Sequence, residues 1–218
     1  MLREAHALSL EAIQRPSADL GLQLTYEQAE RLVTFAKLLV KWNRVHNLTA
    51  LTRPEDVLTH HLLDSLSIVP ELIRIGGDRP LLILDVGAGG GLPGIPIAIA
   101  RSDAQVTLID SVQKKSAFLE QVRVELALSN IHVHQGRVED YRAPPFDVIV
   151  SRAFAPLAEM IQLTAHLLAP GGCWAAMKGV YPTEEINALP STVTLVDAVK
   201  LRVPLLGAER HLVVLRPG

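Results

Sequence analysis

The sequence predicts an α/β fold: a Rossmann-like, seven-stranded, mostly parallel sheet with an antiparallel last strand, preceded by an N-terminal helical extension. Three observations carry this expectation. From Leu81 onward, short apolar runs alternate with helical patterns, which reads as βαβ units with right-handed crossovers. Residues 81–86 are apolar on both faces and break into Gly87-Ala88-Gly89-Gly90-Gly91 before an apolar helix resumes at Ile95, as a central strand, a turn and a helix would. Between residues 25 and 75 the periodicity is helical. The boundary falls near Gly76, giving an extension over 1–75 and an α/β domain over 76–218.

Taken in order, residues 1–24 lack strong caps, and Arg15-Pro16-Ser17 is expected to break any preceding helix and leave this part loosely docked. Thr25-Tyr26-Glu27-Gln28 is a capping box, followed at helical spacing by Leu32, Phe35, Ala36, Leu39 and Trp42. Arg53-Pro54-Glu55-Asp56 opens a second helix, whose stripe of Val57, Leu58, His61, Leu62, Ser65 and Leu66 runs to Pro70. Strands are expected at 81–86, 105–110, 131–135, 146–150, 172–178, 193–200 and 210–216. Helices are expected near 94–101, 113–129, 154–168 and 183–189. The short connection through Gly207-Ala208 makes the last two strands an antiparallel pair.

With 218 residues, 49% of them hydrophobic and 20% charged, the chain can bury one substantial core plus an appendage. A single cysteine, Cys173, excludes an intramolecular disulfide and a cysteine-only zinc site, and suits a reducing cytoplasm. Its apolar strand context predicts a buried, inert thiol. No apolar run approaches a membrane span, and Met1-Leu2-Arg3-Glu4 does not open a signal peptide. The net charge of -2 argues against broad, non-specific nucleic-acid binding but leaves room for a local basic patch. His60-His61 with Asp64 suggests a metal site at first glance, but His60 and Asp64 are only two ligands on one helix, so a packing histidine is expected and no metal.

The glycine turn is the expected cofactor site, because bare backbone and a helix N-terminus there favour a bound ligand. The register Gly89-Gly90-Gly91-Leu92-Pro93-Gly94 satisfies the dinucleotide pattern, but counted from the strand end at Gly87 that pattern needs glycine where Leu92 stands. The alternative register is Asp85-x-Gly87-x-Gly89-x-Gly91. Asp85 would repel a pyrophosphate and suit the ammonium of a methionyl group, so the loop favours S-adenosylmethionine over NAD. Asp110 ends the second strand, twenty-three positions after Gly87, where an acid can accept from ribose hydroxyls or merely cap the next helix through Ser111. Gly136-Arg137-Val138-Glu139-Asp140 is a polar turn at the carboxyl edge. There Glu139 is either a helix N-terminal acid or the bearer of a backbone N–H that meets an adenine edge. Arg152 follows strand four at the mouth of the same crevice. Strand four ends in Ser151-Arg152-Ala153-Phe154 rather than the Asn/Asp-Pro-Pro-aromatic of exocyclic adenine methylation. Cys173 is misplaced for the nucleophile of cytosine C5 methylation.

Together, several segments resemble the bacterial small-subunit ribosomal RNA guanine-N7 methyltransferase family, also called glucose-inhibited division protein B. They are Asn47-Leu48-Thr49, His61-Leu62-Leu63-Asp64-Ser65-Leu66, Asp85-Val86-Gly87, Gly91-Leu92-Pro93-Gly94-Ile95-Pro96, Leu108-Ile109-Asp110-Ser111, Ser151-Arg152-Ala153-Phe154, Lys178-Gly179 and Glu209-Arg210-His211-Leu212. The resemblance implies a class I methyltransferase fold, S-adenosylmethionine as donor, and methylation of N7 of one guanine in small-subunit ribosomal RNA. By matching motif it implies donor contacts at Gly87, Leu92, Val138, Glu139 and Arg152, with Asp110 on the ribose; the loop reading adds Asp85 and Gly89. Arg152 and Lys178 are expected to position substrate. Many members carry Thr or Ser where Ala88 stands, which removes one hydroxyl contact. Arg53, Arg123, Arg137, Arg152, Lys178, Arg202 and Arg210 would supply a phosphate-facing surface. The expected partner is ribosomal RNA or the small ribosomal subunit, with no membrane and a monomeric enzyme. The competing readings are a methyltransferase of a small metabolite and a non-catalytic S-adenosylmethionine-binding module.

Overall fold

A computed structural model describes residues 8–51, 53–77 and 79–218. The signal-peptide reading of the first four residues, and Asp78 of the turn before the first strand, lie outside them. Helix α1 (Leu10–Asp19) corrects the expectation of a broken, loosely docked N-terminus, because it runs straight through Pro16. Ser9 caps it by accepting from the Ala12 amide, and Ile13, Pro16 and Ser17 are buried. Burial outweighs the roughly 3 kcal/mol that an interior proline costs a helix. The Ser17 hydroxyl donates to the Ile13 carbonyl at 2.7 Å, so that buried polar group is satisfied.

Helix α2 (Tyr26–His46) opens on the expected capping box: the Gln28 amide donates to Thr25 Oγ1 and the Thr25 amide to Gln28 Oε1. Gln28 Nε2 also donates to the carbonyls of Ile99 and Ala100, so one side chain both caps α2 and ties it to the α/β part of the chain. Beyond it the second expected helix is more divided than the stripe suggested. Short α3 (Pro54–Val57) widens into a π-helical turn (Leu58–Leu63) and returns to α4 (Asp64–Leu66). Pro70 does not end this run. It sits in the first turn of α5 (Val69–Gly76), where its missing N–H leaves no bond unmade.

The sheet has seven strands in the order β3-β2-β1-β4-β5-β7-β6: β1 (Leu82–Val86), β2 (Gln105–Asp110), β3 (Ile131–Gln135), β4 (Phe146–Arg152), β5 (Leu168–Lys178), β6 (Val193–Lys200) and β7 (His211–Pro217). The first five pair in parallel, and β7 runs antiparallel to both β5 and β6. Between them lie α6 (Gly94–Ala100), α7 (Gln113–Glu125), α8 (Leu157–Thr164) and α9 (Thr183–Asn187). Strands four and five prove longer than expected because Ser151 and Arg152 still pair with Ala176 and Met177, and Leu168 pairs with Phe146.

Alternation along the strands makes two apolar layers. Ile83, Val106, Leu108, Val148, Val150 and Val214 join a cluster that also contains Phe118 of α7 and Leu32, Phe35 and Leu39 of α2. Leu84, Val86, Ile109, Ile149 and Trp174 face the other way, onto Leu157 and Met160 of α8. The helical extension thus shares one core with the first face of the sheet. The strand order reverses between β1 and β4, and the crevice outside the carboxyl ends of these two strands is where open α/β sheets hold ligands.

Candidate active site

At that crevice β1 ends in Val86 and the chain turns through three glycines of positive φ, at 67° for Gly87, 57° for Gly89 and 80° for Gly91. At Gly87 the requirement is double. A Cβ would be strained by the backbone and would stand 2.5 Å from Cδ2 of Phe154, two residues beyond the end of β4. Two cavities open here. One of about 350 Å³ is lined by Gly87, Ile109, Asp110, Val138, Glu139 and Phe154 among others. The other, of about 590 Å³, is lined by Gly87, Gly89, Leu92, Arg152, Lys178 and Arg210, and by Thr49, His60 and Asp64 of the extension. Gly87, Lys115 and Ala153 line both, so the two form one crevice bent around the turn.

Asp110 is buried, with Oδ2 accepting from the Gly89 amide at 2.9 Å and Oδ1 from the Val112 amide at 2.9 Å. It therefore clamps the glycine turn as well as the start of α7, and it still lines the smaller cavity. Val138 and Glu139 open a short 3-10 turn, whose first amides have no partner within the turn. Glu139 is exposed enough to pair with Arg137 at 2.6 Å. Its own backbone N–H, together with that guanidinium, holds its carboxyl below the usual range.

Asp85 departs from expectation, since it lines neither cavity. It is fully buried beneath the turn, where Oδ2 accepts from the Gly94 amide at 2.8 Å and anchors the first turn of α6. Burial pushes its carboxyl up to about 7. The strand's alternation explains this: Val86 faces the α8 layer and Asp85 the opposite one. An ammonium in the crevice would meet the backbone of the turn before it met this acid.

Arg152 and Lys178 both line the larger cavity, and both are already engaged. Lys178 Nζ donates to Glu185 at 2.8 and 3.0 Å, and Glu185 in turn accepts from the Leu157 amide at the start of α8. Arg152 Nη1 donates to the His60 carbonyl at 2.8 Å and to Asp64 Oδ2 at 3.1 Å, while Arg210 Nε donates to Asp64 Oδ1 at 2.9 Å. One buried carboxylate from the extension thus holds two guanidiniums, one from the end of β4 and one from just before β7, and leaves one net positive charge at the pocket wall. His61 is the packing histidine expected. Its Nε2 shares a 2.7 Å hydrogen bond with Thr49 Oγ1, and burial, aided by Arg152, pushes it down to about 4, so it is neutral at physiological pH. No cluster of three potential metal ligands exists among the described residues.

Two features escaped the sequence. Lys115, in the first turn of α7, lines both cavities and lies 3.6 Å from Asp110; the signal was a lysine five positions after a strand-end acid. The ion triad of Asp64 was not legible because its partners lie 88 and 146 residues away. The expected phosphate-facing set is largely neutralised: Arg53 pairs with Asp56, Arg123 with Glu120, Arg137 with Glu139, and the pocket cations pair as described. Arg202 is exposed.

Comparison with known proteins gives a consistent result. A family model described as rRNA small subunit methyltransferase G matches residues 28–213. Proteins named ribosomal RNA small subunit methyltransferase G are 50% identical in Ralstonia nicotianae, over the whole of both chains, and 53% identical in Chromobacterium violaceum, over 90% of this chain and 92% of that one. Among solved structures, the glycopeptide N-methyltransferase MtfA in complex with S-adenosylhomocysteine aligns at a TM-score of 0.59 and 13% identity, over 70% of this chain and 89% of that one. TrmN from Thermus thermophilus aligns at 0.53 and 22%, over 74% of this chain and 53% of that one. These two likenesses show the class I methyltransferase fold.

Proposed function

The chain belongs to the rRNA small subunit methyltransferase G family, and on that premise we propose that it transfers a methyl group from S-adenosylmethionine to N7 of a specific guanine in small-subunit ribosomal RNA. The observation that carries this reading is the bent crevice. Its smaller arm is bounded by Asp110, Val138 and Glu139 and suits an adenosyl group. Its larger arm is walled on one side by the glycine turn and on the other by the helical extension, and it has room for a nucleobase. The glycine turn fits such a donor, because Gly87 presents backbone without a Cβ to both arms and Gly89 to the larger one.

Bound there, the donor supplies an electrophilic methyl group. Asp110 holds the turn in place and offers its remaining lone pairs to ribose hydroxyls. The 3-10 turn at Val138 and Glu139 is placed to meet an adenine edge, with the Glu139 amide shared between its own carboxylate and the base. Arg152 and Arg210, fixed by Asp64, are placed to meet guanine O6, which lies beside N7 on the same base edge. N7 carries an in-plane lone pair at neutral pH, so no residue has to remove a proton. The crevice agrees with this: among the described residues the one carboxylate lining the larger arm is Asp64, and it is bound by two guanidiniums. Catalysis then comes mainly from proximity and orientation, which can supply about 7–11 kcal/mol. Labelled donor offered in parallel to small ribosomal subunits, purified RNA and a metabolite extract tests the reading. Label is expected in the small-subunit RNA; label confined to the metabolites, or transferred to nothing, overturns it.

Two variants follow from this placement. Asp110→Ala is expected to weaken S-adenosylhomocysteine binding by about 1–3 kcal/mol in calorimetry, through lost ribose contacts and a loosened Gly89 amide. Unchanged affinity in a folded variant would reduce Asp110 to a helix cap. Cys173→Ala is expected to keep most of the turnover at saturating donor. Its thiol is buried in β5, and burial pushes it up, away from the thiolate that covalent chemistry needs. Activity lost at unchanged stability would bring a covalent route back.

A further inference from the structure

Thr49 follows the end of α2 and lines the larger arm of the crevice, but it is not among the groups placed on donor or base above. Its neighbours hold it from several sides. The Thr49 amide donates to Oδ1 of buried Asn43 at 2.8 Å, and Asn43 Nδ2 donates to the Leu51 carbonyl at 3.4 Å, so α2 fixes this segment before and after the side chain. The hydroxyl oxygen accepts from the Leu51 amide at 3.1 Å and lies 2.7 Å from His61 Nε2.

Which way the last bond runs follows from the other nitrogen of that ring. His61 Nδ1 lies 3.0 Å from the His60 carbonyl, which can only accept, and 3.4 Å from Arg152 Nη2, which can only donate. The shorter contact decides. Nδ1 carries the proton, and the guanidinium only packs beside it. His61 is neutral, since burial first and then the Arg152 charge hold it at about 4, and a neutral ring protonated at Nδ1 has its lone pair at Nε2. Thr49 therefore gives its single hydroxyl hydrogen to His61. Oγ1 keeps two lone pairs, one facing the Leu51 amide and one with no partner among the described residues.

The chemistry around that lone pair gives it a meaning. Of the polar side chains lining the larger arm, Lys115, Arg152, Lys178 and Arg210 donate, Asp64 is bound by two of these guanidiniums, and His60 turns Nδ1 to Thr59 Oγ1 at 2.9 Å. Thr49 Oγ1 and the Arg152 guanidinium lie against the two nitrogens of one imidazole, so an acceptor and a donor flank the same small ring. Guanine presents the complement: O6 accepts, and the adjacent N1–H donates. Adenine reverses both, with an amine at C6 and a lone pair at N1.

We propose that Thr49 is a specificity-determining residue, whose hydroxyl oxygen accepts from N1–H of the target guanine beside the O6 that Arg152 and Arg210 meet. The proposal rests on the methyltransferase reading above and gives His61 a task as a positioning residue. A free hydroxyl could turn to donate to adenine N1 as readily as it accepts from guanine N1–H. With its hydrogen committed to His61, Thr49 offers adenine only a lone pair against a lone pair.

The test compares Thr49→Val, which keeps the shape and removes the oxygen, with Thr49→Ser, which keeps the hydroxyl. Single-turnover transfer at saturating donor is measured on small-subunit RNA carrying guanine, inosine or 2-aminopurine at the target position. Inosine keeps N7, O6 and N1–H; 2-aminopurine keeps N7 but has a lone pair at N1 and no O6. Wild type is expected to use inosine nearly as well as guanine and to disfavour 2-aminopurine by about 100-fold or more. Thr49→Val should slow guanine and inosine about tenfold or more without slowing 2-aminopurine, and Thr49→Ser should restore the wild-type ratio. His61→Leu, which releases the hydroxyl hydrogen, should lower the same ratio. Affinity for S-adenosylhomocysteine and the urea midpoint report on the fold. A Thr49→Val variant slowed equally on all three bases, or with an unchanged ratio of guanine to 2-aminopurine, overturns the proposal and leaves methyl transfer standing. A wild type that transfers nothing to the guanine RNA overturns the methyltransferase reading itself, and the role of Thr49 with it.

Discussion

Asp64→Ala is expected to cost about 3 kcal/mol of stability and to abolish most methyl transfer. The carboxylate is 3% exposed, and its removal leaves Arg152 and Arg210 facing each other without a counter-ion. Removing one partner of a buried pair costs about 3–5 kcal/mol, and the lower end applies because each guanidinium keeps a fifth of its side-chain surface in water. The loss of activity follows from geometry: the two arginines come from the end of β4 and from just before β7, and Asp64 is the one group that holds both of them to the extension, Arg152 keeping only its bond to the His60 carbonyl. Urea unfolding and single-turnover transfer measure the two effects. Asp64→Asn, which keeps the shape but not the charge, should fall between. A double-mutant cycle with Arg152→Met should show coupling of about 1–3 kcal/mol. Additive effects, or a stability loss below about 1 kcal/mol for Asp64→Ala, would mean that water already satisfies both arginines.

Gly87→Ala should come next in size, acting on donor affinity more than on the fold. The left-handed backbone there costs a non-glycine residue about 1–3 kcal/mol, and the added Cβ drives into the ring of Phe154, which itself lines the smaller arm. Either the turn or the Phe154 ring must shift to relieve the clash, and both bound the smaller arm that the donor needs. Calorimetry with S-adenosylhomocysteine should show at least a tenfold loss. A variant that binds normally would place the donor elsewhere. Gly89→Ala, also left-handed but with only the Gly87 carbonyl near its Cβ, at 3.7 Å, isolates the backbone contribution.

The parts of the fold that local pattern determines were legible. Every strand was found within a few residues, because each is a short apolar run bounded by turn residues, and the antiparallel end of the sheet followed from the short Gly207-Ala208 connection. Pro16 misled because the rule about interior prolines is local, while α1 is held by burial of Ile13 and Ser17 against distant residues. The π-helical turn over Leu58–Leu63 carries no sequence signature of its own, yet it leads directly into Asp64. Within the site, several residues that line the crevice, among them Gly87, Asp110 and Arg152, were named from strand-end positions, since parallel strands deliver their carboxyl ends to one edge, whereas Lys115 and the wall from the extension were not. What failed was the question of which way a side chain points and what already holds it. Asp85 turned inward by the alternation of its strand, and Arg152 and Lys178 acquired partners that only the folded chain brings within reach.

The central claim is that the crevice delivers guanine N7 to a methyl donor, and replacing the target guanine of the RNA by its 7-deaza analogue tests it most directly. The analogue keeps the Watson–Crick edge, O6 and the backbone, and substitutes a carbon for the attacking nitrogen. Single-turnover transfer from labelled S-adenosylmethionine is expected to vanish while RNA binding, with its salt dependence, stays near that of the natural substrate. Methyl transfer persisting on the 7-deaza RNA would contradict the account.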